Sequence, residues 1–311
     1  MSLAGDLLTR AAAVPPPSAR AATRMAGAAL GDVLHTLDVL DLAPDERPKD
    51  PMEARDPEYI RETLPAMGLM SHAYFRGEVR NLERIPAEGP VLLVGNHSGG
   101  TLIADTFVFA HAFYEHFGTQ RRFHQLAHDL VFGVPGVRAS LTRYGTVPAS
   151  PENMRRAIAA GAALLVYPGG DHESYRPSWE SGEVDFAGRT GFVRLALELD
   201  VPIVPVVAIG GQETALFLGQ GSDLARRLGL DRLRLKVLPA QVAPPFGLTV
   251  LDLPARVPLP AKITVQVLDP IDLRQTLGDD ADVDAAYELV TGRMQETLTE
   301  LADERTLPVV G

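Results

Sequence analysis

The sequence predicts an α/β fold: a largely parallel or mixed central sheet flanked by helices, preceded by an N-terminal helical segment. Three observations carry that prediction. From about residue 75 to 210, short apolar runs alternate with stretches of helical periodicity, the pattern of strands joined by crossover helices. Two glycine-rich polar clusters, GNHSGG and YPGGDHE, each follow one of those runs. The first 72 residues instead have helical spacing, broken by a charged, proline-rich stretch.

The elements follow in order. SARAATRMAGAALGDVLHTLDVLDL has apolar residues at helical spacing with Ser18 as its N-cap, and DPEYIRETLPAMGLMSHAYF reads as a second helix interrupted at Pro65. APDERPKDPMEARDP links them. Residues 1–72 are therefore set apart as a helical segment, for membrane docking or for covering a tunnel, and 73–311 as the α/β domain. EVRNLERI leads to a turn, VLLVG is a buried strand, and TLIADTFVFAHAFYEHF is a helix. RFHQLAH alternates like a strand. SPENMRRAIAAG is a helix with Ser150 as N-cap, Pro151 at N1 and Gly161 at its end. AALLVYPGG and VPIVPVVAIG are further buried strands on either side of the helix GRTGFVRLALELD. Residues 220–262 are less regular and proline-rich. AKITVQVLDP is a late strand, and VDAAYELVTGRMQETLTELADE an amphipathic helix that packs back onto the domain.

Bulk properties narrow the function. The 311 residues carry a net charge of −11, which argues against nucleic acid as a partner. With no cysteine there is no disulfide, thiolate metal site or cysteine nucleophile. The start of the chain lacks the pattern of a secretory signal, and no run approaches the roughly 18 apolar residues of a spanning helix. A cytoplasmic protein, peripheral to the inner face of the membrane, is the expectation. Between residues 221 and 250 five basic residues stand against two acidic ones, a local +3 that suits an anionic surface or simply a solvated edge.

In parallel sheets, ligands gather outside the carboxyl ends of the strands, where both glycine clusters fall. His97 stands there, followed by Gly99 and Gly100, which allow close backbone approach to a ligand. A helix beginning near Thr101 would present free N–H groups to an oxyanion. Asp105, in its first turn, is placed either to fix the imidazole tautomer, leaving the other nitrogen as a base, or merely to favour the helix N-terminus. Ser98 lacks the Gly-x-Ser-x-Gly elbow of a serine hydrolase and is read as bonding the turn. His111 and His116 are five apart and face different sides of a helix, while His124 and His128 lie on a strand pattern. Neither pair is read as a metal site, and no metal or redox cofactor is expected.

NHSGGTLIAD resembles the His/Asp motif of the glycerolipid acyltransferase superfamily, which includes the lysophospholipid acyltransferases. The resemblance is closer to the branch of monoacylglycerol and diacylglycerol acyltransferase-like proteins. Four blocks agree in order: YFRGEVRNLERIPAEGPVLLVGNHSGG, LTRYGTVPASPENMRRAIAAG with Arg143 and Gly145, LLVYPGGDHESYRP, and GRTGFVRLALELDVPIVPVV. The resemblance implies that His97 deprotonates an acceptor hydroxyl, which attacks the thioester of acyl-CoA or acyl-carrier protein, with Asp105 orienting the ring. Asn96, Ser98, Gly99, Gly100, Arg143, Gly169, Gly170 and Glu173 would line the substrate site, with amides of the glycine turn holding the oxyanion. Glu173 would shape the acceptor pocket or pair with a nearby arginine.

Two departures matter. Seven residues separate His97 from Asp105, where the superfamily usually has four. PGGDHE also lacks the arginine of the phosphate-binding branch's third block, so a neutral lipid alcohol is the expected acceptor unless Arg143, Arg176 or Arg189 supplies the charge. A non-catalytic lipid carrier and a thioesterase-like hydrolase are the rival readings.

Overall fold

The computed structural model describes residues 50–101, 103–128, 131–132, 137–227, 237–250, 252, 256–307 and 309–311. The first helix read from the sequence, and residues 228–236 of the basic segment, lie outside the described residues.

Helix α1 (Pro57–Gly68) starts at Asp56, whose carboxylate accepts from the Glu58 and Tyr59 N–H groups. It runs through Pro65 instead of breaking there, and continues as a π-helical turn, Leu69–Tyr74. Strand β1 (Glu78–Arg80) is followed by the fully buried β2 (Val91–Gly95). Helix α2 (Ala104–Phe117) leads to β3 (Phe123–Ala127), α3 (Val137–Arg143) and β4 (Thr146–Pro148). Helix α4 (Pro151–Ala159) is capped as expected, the Ser150 hydroxyl accepting from Asn153 N at 3.1 Å. Strand β5 (Ala163–Val166), the short α5 (Gly170–Ser174), α6 (Gly191–Leu199) and β6 (Ile203–Ile209) complete the alternating region.

Seven strands form one sheet in the order β1-β10-β6-β2-β5-β3-β4, where β10 is Thr264–Val267. The five from β6 to β4 are parallel, and β10 joins β6 antiparallel, so the sheet is mixed at one edge. Alternation along the strands sorts the core into two layers. Leu92, Val94, Leu164 and Val207 face α4, α6 and the last helix, α9 (Val283–Asp303), through Ile158, Val193, Val290, Met294 and Leu298. Val91, Leu93, Leu165 and Val206 face α1 and α2 through Ile60, Val108, Phe109 and Phe113. Period-2 side-chain direction places one residue in each layer, which is why these strands are apolar throughout.

The proline-rich region and the residues just before it form an element that the sequence did not announce: an antiparallel sheet of β7 (Leu216–Gly219), β8 (Ala240–Ala243) and β9 (Gly247–Thr249). Between β7 and β8 lies α7 (Ser222–Arg227), and α8 (Leu273–Leu277) precedes α9.

Candidate active site

Strand β2 lies between β5 and β6, and its carboxyl end delivers the first polar cluster. Asn96 continues the sheet by side chain. Its Nδ2 donates to Ala208 O and its Oδ1 accepts from Ala208 N, both at 2.8 Å. Both ends of the amide are thereby used in fixing the point where the chain leaves β2.

The next residue, His97, turns its ring onto Tyr167, with centroids 4.3 Å apart and planes 23° apart. Tyr167 follows β5 by one residue, and the parallel register pairs Val94 with Val166, so Gly95 and Tyr167 are neighbours. A Cβ on Gly95 would stand 2.5 Å from the Tyr167 ring, so only glycine admits this approach. The Thr106 hydroxyl donates to the Tyr167 hydroxyl at 2.8 Å, tying the phenol to α2. Burial, then the nearby Asp105 carboxylate, raise the Tyr167 pKa well above its usual value, so it stays a phenol.

The seven-residue spacing does return Asp105 to His97. Gly99 and Gly100, at φ 92° and 68°, turn the chain through backbone that L side chains avoid. The buried Asp105 Oδ2 then lies 3.6 Å from His97 Nδ1 and accepts from Ser98 N at 3.1 Å. Its Oδ1 accepts from Thr106 N at 2.7 Å. His97 Nδ1 is buried with no hydrogen bond, although the ring keeps 13% of its surface exposed. One nitrogen therefore faces a carboxylate, while the ring's remaining exposure lies on other atoms.

The glycine turn differs from its expected role. Helix α2 begins at Ala104, not near Thr101. The backbone N–H groups of residues 97–101 all donate to protein acceptors: His97 to Glu173, Ser98 to Asp105, Gly99 to Gln212, Gly100 to Ser174 O and Thr101 to Asp252. In this arrangement none of them is available to an oxyanion. The space left by the glycines is filled by protein as well. A Cβ on Gly99 would meet Gly211 O at 2.8 Å, and one on Gly100 would meet the Asp252 carboxylate at 2.4 Å.

Glu173, fully buried on α5, takes the second reading the sequence allowed, a carboxylate paired with arginine. Its Oε1 accepts from Arg176 Nη2 at 2.9 Å and Asp185 N at 3.2 Å, and its Oε2 from His97 N at 3.1 Å. Burial nonetheless pushes its pKa up to about 8, against the pull of Arg176 and the two backbone donors. Gly169 makes room for that carboxyl, which a Cβ there would overlap. Gly170 sits beside Arg189, whose guanidinium donates to the Pro168 and Gly169 carbonyls and to Asp171. Arg143 is not drawn into this cluster by any described contact. It pairs with Asp56 at 3.0 Å and lies 3.7 Å over the Tyr59 ring, holding α3 to α1.

Several participants had no signal in the sequence. Gln212 bridges Gly99 N and Arg176 O. The buried pair Asp252–Arg256, 2.7 Å apart, clamps the glycine turn from the segment that follows β9: Asp252 accepts from Thr101 N, and Arg256 donates to Gly99 O. A narrow cleft bordered by His97, Ser98 and Gln212 shares Arg176 and Glu183 with a neighbouring cavity of about 390 Å³ lined by His172, Glu180 and Asp185.

The site thus sets an imidazole against a buried carboxylate at the carboxyl edge of the parallel strands, and the relatives indicate the class of protein. Residues 76–209 match the family model described as Acyltransferase, so this stretch of the chain is an acyltransferase domain. An uncharacterized protein of Mycobacterium tuberculosis is 30% identical over 236 residues, 76% of this chain and 63% of the relative. The chain thus spans less than two thirds of the length of that protein. The bovine "DGAT1/2-independent enzyme synthesizing storage lipids" is 30% identical over 198 residues, 63% of this chain and 56% of the relative. Phytyl ester synthase 2 of Arabidopsis thaliana is 33% identical over 47% of this chain and 21% of its own. The fold is that of the 1-acyl-sn-glycerophosphate acyltransferase PlsC from Thermotoga maritima, with a TM-score of 0.50 at 15% identity, covering 84% of this chain and 86% of that one.

Proposed function

We propose that this chain is an O-acyltransferase that moves a fatty acyl group from acyl-CoA, or from acyl-carrier protein, to the hydroxyl of a glycerolipid or related lipid alcohol. The observation that carries the reading is the imidazole of His97, stacked on Tyr167, with Nδ1 turned to the buried Asp105 carboxylate. In this mechanism Asp105 holds the proton on Nδ1, so that Nε2 presents its lone pair to the acceptor hydroxyl. The alkoxide adds to the thioester carbonyl, the thiolate leaves, and the imidazolium returns its proton to it. Catalytic hydrogen bonds tighten as the reacting complex forms, so 3.6 Å keeps Asp105 within reach.

A neutral acceptor fits the electrostatics. Arg176 is tied down by Glu173 and the Glu180 and Glu183 carbonyls, and Arg189 by Asp171 and two carbonyls, so neither side chain is free to hold a phosphate. Peripheral membrane contact fits the small sheet, where Leu216, Val242 and Leu248 are cross-strand partners and all three are exposed. A row of apolar side chains on a face opposite the buried Phe217 suits the headgroup boundary of a bilayer. No helix among the described residues is long and apolar enough to cross a membrane.

The test is incubation of the purified protein with radiolabelled acyl-CoA and a panel of lipid alcohols, in wild type and His97→Ala. Wild type forms radiolabelled ester, and the variant loses about 10²–10⁴ in rate with its fold intact. Full activity in His97→Ala overturns the mechanism. Label released as free fatty acid at a rate indifferent to acceptor identifies a hydrolase, and stoichiometric lipid binding without turnover a carrier.

A further inference from the structure

Away from the active site, the π-helical turn Leu69–Tyr74 brings His72 over α2, against His111 and Glu115. His72 Nε2 lies 3.6 Å from Glu115 Oε2, and His111 Nδ1 lies 3.4 Å from the same oxygen. The three ligand atoms all fall within 4.8 Å of one another. The two rings meet edge to face at 5.0 Å. We infer that His72, His111 and Glu115 form a binding site for a divalent transition-metal ion of the zinc type.

The alternative is plain packing of two rings beside a surface carboxylate, and one atom argues against it. His111 is almost fully buried, with 3% of its side chain exposed, and its Nδ1 has no hydrogen-bond partner. Glu115 stands close enough but out of line for a hydrogen bond. A buried polar nitrogen left unmatched is costly, and a cation between the three groups satisfies it and the carboxylate together.

The ligand set selects the ion. Two imidazoles and one carboxylate suit zinc and its neighbours in the transition series, whereas magnesium and calcium prefer oxygen alone. Bonds of about 2.0–2.1 Å in a tetrahedral site set ligand atoms about 3.3 Å apart, close to two of the separations seen. The half-exposed His72 and Glu115 side chains have freedom to close the third. Glu115 follows His111 by four residues on one helix face, and the π turn supplies the third ligand at a position a regular α-helix would rotate away. Gly68 permits the approach, since a Cβ there would meet His111 Nε2 at 2.9 Å. The ion would staple the end of α1 to α2, the helix whose first turn holds Asp105.

The experiment is a titration of the full-length, untagged, chelator-treated chain with Zn²⁺ by calorimetry, with Co²⁺ absorption as a second readout. Wild type takes up one Zn²⁺ per chain, gives the visible d–d bands of four-coordinate Co²⁺, and gains in thermal midpoint with the metal. His72→Ala and Glu115→Gln, both at half-exposed positions, each weaken Zn²⁺ binding at least tenfold and abolish the thermal gain, with unchanged circular dichroism. Absence of stoichiometric uptake overturns the site. So does binding that is undiminished in either variant.

Discussion

The phenol of Tyr167 lies flat on the imidazole of His97, 4.3 Å between centroids, and the absent side chain of Gly95 is what allows it. That stack fixes the ring plane. With the plane fixed, the position of Asp105 decides which nitrogen it faces. Gly95→Ala puts a methyl 2.5 Å from the Tyr167 ring and forces the phenol off the imidazole. The expected cost is about 1–3 kcal/mol of stability from overpacking, read from urea unfolding, with a loss of acyl transfer. Undiminished activity and stability would show that the stack does not position His97.

Asp105 holds the Ser98 and Thr106 N–H groups as well as facing His97. Asp105→Asn keeps a side-chain oxygen for one of these donors but removes the charge that favours an imidazolium. Acyl transfer should fall by about 10²-fold or more, while substrate binding changes little. Asp105→Ala should also destabilise the fold by about 1–3 kcal/mol, because it leaves a buried donor unmatched. Steady-state kinetics and urea unfolding of both variants separate the two effects.

Glu173 gives the protein a stability that depends on pH in a definite direction. Its folded pKa is raised to about 8 from an ordinary 4.5, so between those values the folded state holds a proton that the unfolded chain has released. Stability from this group is therefore fully present below the unfolded value and is lost as pH rises toward the folded one. Relative to Glu173→Gln, which cannot ionise, wild type should lose stability from about pH 5 to about pH 8. Parallel slopes for the two proteins, measured by denaturant unfolding across that window, would contradict the assignment.

Arg256 and Asp252 bury opposite charges beneath the glycine turn. Arg256→Leu leaves the Asp252 carboxylate buried and unpaired, at an expected cost of about 3–5 kcal/mol. Changing both residues to apolar ones should recover part of that loss. Chemical denaturation of the two single variants and the double variant closes the cycle, and additive losses would mean the residues do not interact.

Much of this molecule is legible in one dimension because its signals are local. Apolar runs such as VLLVG and IVPVVAI have no alternation to satisfy except burial on both faces, which marks internal parallel strands. The Ser150 cap, the stripe of α9 and the place of His97 at a strand's end depend on neighbours a few residues away. The reading failed where distant groups decide the outcome. Helix α2 starts at Ala104, and the N–H of Thr101, where the sequence placed that start, goes instead to Asp252, 151 residues further along. The sheet of β7, β8 and β9 had no signal in the sequence, since its register rests on cross-strand pairing.

The sequence by itself determined the α/β class, the run of internal parallel strands and the place of His97 at a strand's end, because periodicity, caps and ordered motifs are properties of contiguous residues. Only the tertiary structure decided that Asp105 comes back to His97, that Tyr167 stacks on it, that Glu173 pairs with Arg176, and that His72 meets His111. Each of those depends on which strands and helices lie side by side. A separation of a few ångströms between residues far apart in the chain is set by packing, not by any local pattern.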